Sequence, residues 1–277
     1  MHRSARLALA AASAALVSTA IGTNAAHAQQ ATAMALPSVS WKQSWSSEFN
    51  GKGGIPPEWL PLTGNGTDGW SHRALQYYQK ENVSQDGKGN LVIAAKQTSA
   101  WDWFQHTVNN TGNRCWNGAC QYTSGRVQTS GKFSQAYGRF AARIKLPTGN
   151  GTWPTFWMQR DKPPYAEVDV VEAVGRFPNL VQGYAHTEGR DGGGQHDLGK
   201  PLSAGYHVYG VDWTPDKIVW WVDYQPYAEF KTAGSAFNAP FYLILSLGIG
   251  GDFAGDPWFT GFPQSMQVDW IRAYKAA

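Results

Sequence analysis

The stretch "AEVDVVEAVG", residues 166–175, places three carboxylates on one short strand-forming segment. In a β-strand successive side chains point to opposite faces, so Glu167 and Asp169 share a face while Glu172 would point the other way, among the valines. An unpaired carboxylate buried in an apolar core is prohibitively costly. A one-residue β-bulge at Val170–Val171 returns Glu172 to the face of Glu167. The segment therefore predicts a bulged strand with all three acids on one face.

Two glutamates at that spacing suit bond cleavage in a sugar polymer. Long side chains that lean toward each other bring two carboxyls to about 5 to 5.5 Å, the separation used by retaining glycosidases. Mutual repulsion keeps one carboxyl protonated while the other is ionised, and Asp169 between them can hold a neighbouring glutamate in place. Two other interpretations stay open on these ten residues alone: a solvated strand face, or a set of calcium ligands.

The preceding segment "GNGTWPTFWMQ" favours the sugar interpretation. Trp153, Thr155 and Trp157 lie on one face of a predicted strand that pairs with, or lies close to, the acidic strand. The apolar faces of sugar rings stack on aromatic side chains, so indoles beside paired carboxylates fit a polysaccharide. Packing in the core is the alternative for either tryptophan.

The rest of the chain predicts an all-β fold. Runs rich in β-branched and aromatic residues, bounded by Gly, Pro, Asn or Asp, recur with almost no helical periodicity between them. Such spacing favours antiparallel sheets, two of them packed face to face. The predicted strands are residues 90–96, 137–146, 152–159, 166–174, 206–214, 217–223, 241–249 and 266–274. We expect a single catalytic β-sandwich domain over residues 41–277, preceded by a disordered lead-in at 29–40.

The first 28 residues resemble a secretory signal peptide. Arg3 and Arg6 precede an apolar run, and Ala26-His27-Ala28 forms a small-residue cleavage site before Gln29. Cleavage leaves 21 basic and 20 acidic residues, and this near-neutral balance argues against a nucleic-acid or anionic-membrane partner. In an exported protein Cys115 and Cys120, in "CWNGAC", favour a small-loop disulfide, with two buried thiols as the alternative. We expect a secreted, monomeric protein.

Six motifs, in this order, resemble family 16 of the glycoside hydrolases. They are "YGRFAARIKLP", "GTWPTFWM", E-V-D-V-V-E (167–172), "YHVYGVDWTPDKIVWWVD", "PFYLILSLGIGG" and "FPQSMQVDWIRAYK". The bulged E-x-D-x-x-E form is that of the laminarinase-like branch. The resemblance implies a β-jelly-roll sandwich of two antiparallel sheets with a concave substrate cleft. It also implies that Glu167 is the nucleophile, that Asp169 orients it and that Glu172 is the general acid and then base.

Further site residues follow from the same resemblance. His186 in "VQGYAHTEG" matches the second histidine of the family's V-H-G-T-L-H strand, and it shares a face with Tyr184 and Gln182. Trp153 and Trp157 are expected to line the sugar sites, with His72 and Arg139 or Arg143 near them. No cofactor is expected for catalysis. A structural Ca²⁺ is expected at positions matching Glu48, the backbone carbonyl of Gly89 and Asp269, although a solvated strand position is the alternative for Asp269.

Several departures from the family pattern bear on the substrate. The usual N-x-E-L-Q-Y-Y reads "HRALQYY", with His72 and Ala74 in place of Asn and Glu, and Gln182 stands where the first histidine is expected. Ala141 and Ala166 also replace family residues. Loss of groups that hydrogen-bond particular hydroxyls redirects specificity. The leading hypothesis is a retaining endo-glycosidase for β-1,3-glucan or mixed-linkage β-glucan. The alternatives are a galactan hydrolase such as an endo-β-1,3-galactanase, or a carbohydrate-binding protein without turnover.

Overall fold

The computed structural model describes residues 34–232 and 235–277, so the predicted signal peptide lies outside the described residues. Residues 34–40 form no regular element, and the first strand begins at Trp41. The strands are β1 (Trp41–Ser47), β2 (Leu60–Pro61), β3 (Gln76–Tyr78), β4 (Val83–Gln85), β5 (Leu91–Gln97), β6 (Arg114–Cys115), β7 (Gly118–Ala119), β8 (Tyr122–Ser124), β9 (Arg126–Gln128), β10 (Ser134–Gln135), β11 (Gly138–Lys145), β12 (Thr152–Arg160), β13 (Ala166–Glu172), β14 (Leu180–Thr187), β15 (Arg190–Asp197), β16 (His207–Trp213), β17 (Lys217–Val222), β18 (Gln225–Lys231), β19 (Phe241–Ile249) and β20 (Gln264–Ala276).

Helices are few and short. The α-helices are α1 (Ala100–Val108) and α2 (Gly251–Ala254), the π-helical turn is Gly69–Arg73, and the 3₁₀ turns are Lys80–Asn82, Leu202–Ala204 and Ser235–Phe237. Within the described ranges, none of them combines the length and apolarity that a membrane crossing requires.

Two large sheets pack face to face. The first has the order β18-β17-β16-β11-β20-β5-β8-β3, with β1 on β20 and β4 on β5; the second has the order β15-β14-β13-β12-β19-β9-β2, with β10 on β19. Large apolar side chains from both sheets, among them Phe140, Trp213, Phe156 and Met158, are fully buried between them. The predicted β-sandwich is confirmed, and all eight predicted strands match observed strands to within two residues at each end. Among the strands that the structure describes, β3 and β8 are the one pair that runs parallel.

The segment between β5 and β8 carries the disulfide. Cys115 and Cys120 are bonded, as favoured from the sequence, and they close the small β6–β7 hairpin. The backbone N–H of Trp116 in this hairpin donates to the Asn65 side chain, which in turn donates to the carbonyls of Ala74 and Gln76. The hairpin is thereby fixed to the segment that carries the π-helical turn.

Candidate active site

The bulge predicted in the acidic strand is present. Against β12, Phe156 pairs with Val171 and Trp157 with Asp169, so Val170 is the extra residue. The same irregularity is present against β14. The advance of four residues from Val168 to Glu172 on β13 is matched by an advance of only three residues on β14. Glu167, Asp169 and Glu172 consequently oppose Gln159, Trp157 and Thr155, which alternate along one face of β12. The three acids share the outer face of the second sheet, and the valines fill the core.

Glu167 and Asp169 form one cluster with His186. Side-chain oxygens of both acids and a ring nitrogen of His186 lie within 4.8 Å of one another. The two carboxyls hydrogen-bond to each other, and His186 Nε2 lies 3.2 Å from Asp169 Oδ2. The hydroxyl of Tyr165 donates to Glu167 Oε2. From behind, the indole of Trp220 in the first sheet donates to the Asp169 carbonyl, which fixes the strand at the bulge.

Glu172 has a separate partner. The indole N–H of Trp153, on β12, donates to Glu172 Oε1 over 2.9 Å. With Oε1 accepting that hydrogen bond, Oε2 is the oxygen left to carry a transferable proton. Trp153 is held in turn by Phe253 of α2, with ring centroids 4.8 Å apart, and by the His72 ring, 5.1 Å away edge to face.

Burial raises the pKa of all three acids, and it raises them unequally. The pKa of Glu172 lies well above its usual value because the carboxyl is removed from water and faces Asp169. The pKa of Asp169 is also well above its usual value, through burial and the neighbouring Glu167 charge. Burial raises the pKa of Glu167 too, but Tyr165, His186 and Arg126 oppose that rise. The site therefore favours an ionised Glu167 beside protonated partners, as an acid and nucleophile pair requires.

His186 lies between two acidic side chains. Its Nδ1 lies 3.1 Å from Asp191 of β15, while Nε2 faces Asp169. Tyr184 lies on the same face, with its ring centroid 6.0 Å from that of His186. Gln182 pairs in register with Glu172 and accepts a hydrogen bond from Gln195, so it borders the acids.

A half-buried arginine that sequence reasoning missed borders the site. Arg126, on β9, lies between two indoles, 4.4 Å from the ring centroid of Trp70 and 4.9 Å from that of Trp157. Burial lowers its pKa, and neither its Nε nor the Trp70 Nε1 finds a hydrogen-bond partner among the described residues. Trp70 has φ +60°, a conformation that few non-glycine residues adopt. Buried donors without a partner are uncommon in folded proteins, so this cluster is an unusual feature beside the acids.

Arg139 corrects a prediction. It lies on β11 in the first sheet and points outward, where it forms a bidentate ion pair with buried Asp212 and contacts Trp41 and Trp221. Because the acids occupy the outer face of the other sheet, Arg139 cannot reach a sugar bound to them, and the predicted substrate contact is wrong. Arg143, four residues further along β11 and on the same face, pairs with Asp269.

The residues expected to hold calcium are engaged elsewhere. Both carboxylate oxygens of Glu48 accept hydrogen bonds from Arg272, at 2.9 and 2.8 Å, and Asp269 is paired with Arg143. A guanidinium on each carboxylate repels a cation, and the two guanidinium groups occupy both oxygens of Glu48 and one oxygen of Asp269. As arranged, the carboxylates of Glu48 and Asp269 do not fit a Ca²⁺ ion.

Comparison with known proteins agrees with this geometry. The family model for glycosyl hydrolases family 16 matches residues 72–272. The chain is 36% identical over 266 residues to the glucan endo-1,3-beta-glucosidase A1 of Niallia circulans, with 83% of this chain and 37% of that protein covered. It is 32% identical to the beta-glucanase of Rhodothermus marinus, with 85% of each covered.

A solved structure has the same fold. The endo-beta-1,3-glucanase from Pyrococcus furiosus superposes with a TM-score of 0.77 at 32% identity, and the match covers 88% of this chain and 98% of that one. Over two thirds of the chain, then, sequence pattern and backbone agree with one family. The chain belongs to family 16 of the glycosyl hydrolases.

Proposed function

We propose that the protein is a secreted endo-glycosidase that hydrolyses β-1,3-linked glucan with retention of anomeric configuration. The observation that carries the proposal is the bulge at Val170, which puts Glu167 and Glu172 on one face with different partners. Trp153 and Trp157 offer rings beside them for sugar stacking. The similarity to β-1,3-glucanases supports the choice of glucan.

The first chemical step uses both glutamates. Ionised Glu167 attacks the anomeric carbon of the sugar above it and forms a glycosyl ester, while Glu172 gives its Oε2 proton to the departing glycosidic oxygen. The bond between the anomeric carbon and that oxygen breaks, and the downstream chain leaves as an alcohol. Asp169 hydrogen-bonds to Glu167 and holds it in the attacking position.

The second step reverses the roles. Glu172, now ionised, takes a proton from a water molecule, whose oxygen bonds to the anomeric carbon as the ester to Glu167 breaks. Two displacements at one carbon restore the original configuration. The high pKa of Glu172 favours its protonation in the resting enzyme, and Trp153 keeps the carboxyl oriented through both steps.

A small substrate panel tests the proposal. Reducing ends released from laminarin, mixed-linkage β-glucan and arabinogalactan are measured for the wild type and for Glu167→Gln. We expect the wild type to cleave laminarin and the variant to lose more than about 10³-fold in rate. Cleavage of arabinogalactan without cleavage of laminarin would show that the substrate is a galactan and not a glucan. Equal binding of laminarin by both proteins without any cleavage would indicate a carbohydrate-binding protein.

Export and oligomeric state belong to the same proposal. The predicted cleavage after Ala28 gives a mature chain that starts at Gln29. The mass of the protein recovered from the culture medium tests this prediction, and its elution volume tests the expected monomer.

A further inference from the structure

A second concave surface lies outside the acidic cleft. It is a groove of about 910 Å³. One side is formed by the end of β5 and the start of α1, and the other side by residues 257–263. Its aromatic lining consists of Trp103, Tyr122, Trp258, Phe259 and Phe262. We call this surface the aromatic groove. Its volume lies within the range of small-molecule sites.

The floor and one wall of the aromatic groove are fixed. The Trp103 indole N–H donates to the Ala119 carbonyl over 3.1 Å, which holds α1 to the disulfide hairpin. The Phe262 ring lies on Tyr122, with centroids 5.0 Å apart, and Tyr122 is buried. These contacts set ring positions before any ligand binds, which reduces the entropy lost on binding.

The rim, by contrast, carries rings that contribute almost nothing to the fold. Trp258 is 68% exposed, and Phe259 is fully exposed. Phe259 also has φ +66°, which is costly for an aromatic residue. Single exposed apolar residues are ordinary, but two adjacent rings on the rim of a preformed groove mark an interaction surface.

The chemistry of the lining points to a neutral sugar polymer. Between the rings lie the amides and hydroxyls of Gln97, Thr98, Ser99, Gln121 and Thr260, and Lys96 is the one charged residue among the described residues of the lining. Aromatic faces with neutral amide and hydroxyl groups suit the alternating apolar faces and hydroxyls of a pyranose chain. An anionic partner would need more cationic groups.

The lining of the aromatic groove includes none of the acids and not Trp153, but a short stretch of chain connects the two places. Phe253 of α2 packs on Trp153, the partner of Glu172, and the chain then runs from α2 directly into Pro257 and Trp258. We propose that the aromatic groove is a second binding site for the β-glucan that the acidic cleft hydrolyses, and that it anchors the polymer outside the cleft. This inference rests on the proposed function for the identity of the polymer.

Binding to insoluble β-1,3-glucan tests the inference. In the inactive Glu167→Gln background, Trp258→Ala and Phe259→Asn are compared with Tyr224→Asn. Asn is chosen because it adopts positive φ more readily than most residues. Tyr224 is a matched control, since it is 53% exposed, has φ +63° and lies in the β17–β18 turn of the first sheet. We expect each groove variant to raise the Kd for the polymer about threefold to tenfold and the control to leave it unchanged.

Activity measurements separate this inference from the proposed function. With Glu167 intact, Trp258→Ala is expected to slow hydrolysis of insoluble glucan while kcat/KM on short soluble β-1,3-gluco-oligosaccharides stays within twofold of wild type. Equal polymer binding by all three variants, with normal oligosaccharide cleavage, would overturn the second site alone. A concentration-dependent dimer lost in Trp258→Ala would assign the aromatic groove to a second copy of the chain instead. No cleavage of any β-1,3-glucan by the wild type would overturn the proposed function.

Discussion

Replacing Trp153 by Phe should move the basic limb of the pH profile upward. The indole N–H donates to Glu172 Oε1 and stabilises the ionised carboxylate, so it lowers a pKa that burial raises. A hydrogen bond to a charged group contributes about 1.5–3 kcal/mol. At about 1.4 kcal/mol per pKa unit, its loss raises the pKa of Glu172 by about one to two units. Phe keeps a ring against His72 and Phe253, which limits the change to the hydrogen bond.

The assay is kcat/KM on a soluble β-1,3-gluco-oligosaccharide as a function of pH. Protonated Glu172 is the reactive form, so its pKa in the free enzyme sets the basic limb. We expect that limb to rise by at least about one unit in Trp153→Phe. The matched control is Trp157→Phe, which alters a cleft indole that contacts Arg126 and should leave the limb in place. A basic limb that stays still or falls in Trp153→Phe would refute the assignment of Glu172 as the acid held by Trp153.

Three further predictions follow from the same contacts. Tyr165→Phe removes a hydrogen bond that lowers the pKa of Glu167, so the acid limb of kcat/KM should move to higher pH; an unchanged limb would contradict this role of Tyr165. Glu172→Gln should stabilise the fold at pH 7 by on the order of 1–3 kcal/mol in urea unfolding. The pKa of Glu172 is raised in the folded protein, so its ionisation destabilises the fold as the pH rises above about 4.5. The gain in stability of Glu172→Gln should therefore vanish in acid. A gain that persists at pH 3 would show that ionisation of Glu172 is not its cause. Finally, EDTA should leave the melting temperature unchanged, and a rise with added Ca²⁺ would show that Glu48 and Asp269 exchange their arginine partners for the ion.

The bulged strand could be predicted because burial restricts which side chains can point into the core. Valines fix which face is the core, and the high free energy of a buried unpaired carboxylate then requires one extra residue before Glu172. The same reasoning placed Trp153 and Trp157 beside the acids, because side chains alternate along any strand that pairs with β13.

Other features depend on contacts between distant segments. Arg126 stands in "TSGRVQT", and the alternation of side chains along a strand indicates only which face of the strand it occupies. Its place beside the site depends on contact with Trp70, which comes from a distant turn with positive φ values. The predicted substrate contact of Arg139 was wrong for a related reason, since the sequence does not show to which sheet β11 belongs. Strand β15 was missed because its run Gly192-Gly193-Gly194 has no strand preference. A Cβ at Gly192 would lie 2.2 Å from the Phe230 ring, so packing against β18 requires glycine there.

Azide rescue tests the two glutamate roles most directly. Glu167→Ala and Glu172→Ala are incubated with sodium azide and a β-glucoside that has an activated leaving group, and the anomeric configuration of the glycosyl azide is read by NMR. Our assignment predicts an α-azide from Glu167→Ala, by one direct displacement, and a β-azide from Glu172→Ala, by attack on the ester to Glu167. The opposite pair of anomers would exchange the roles of the two residues and contradict the account.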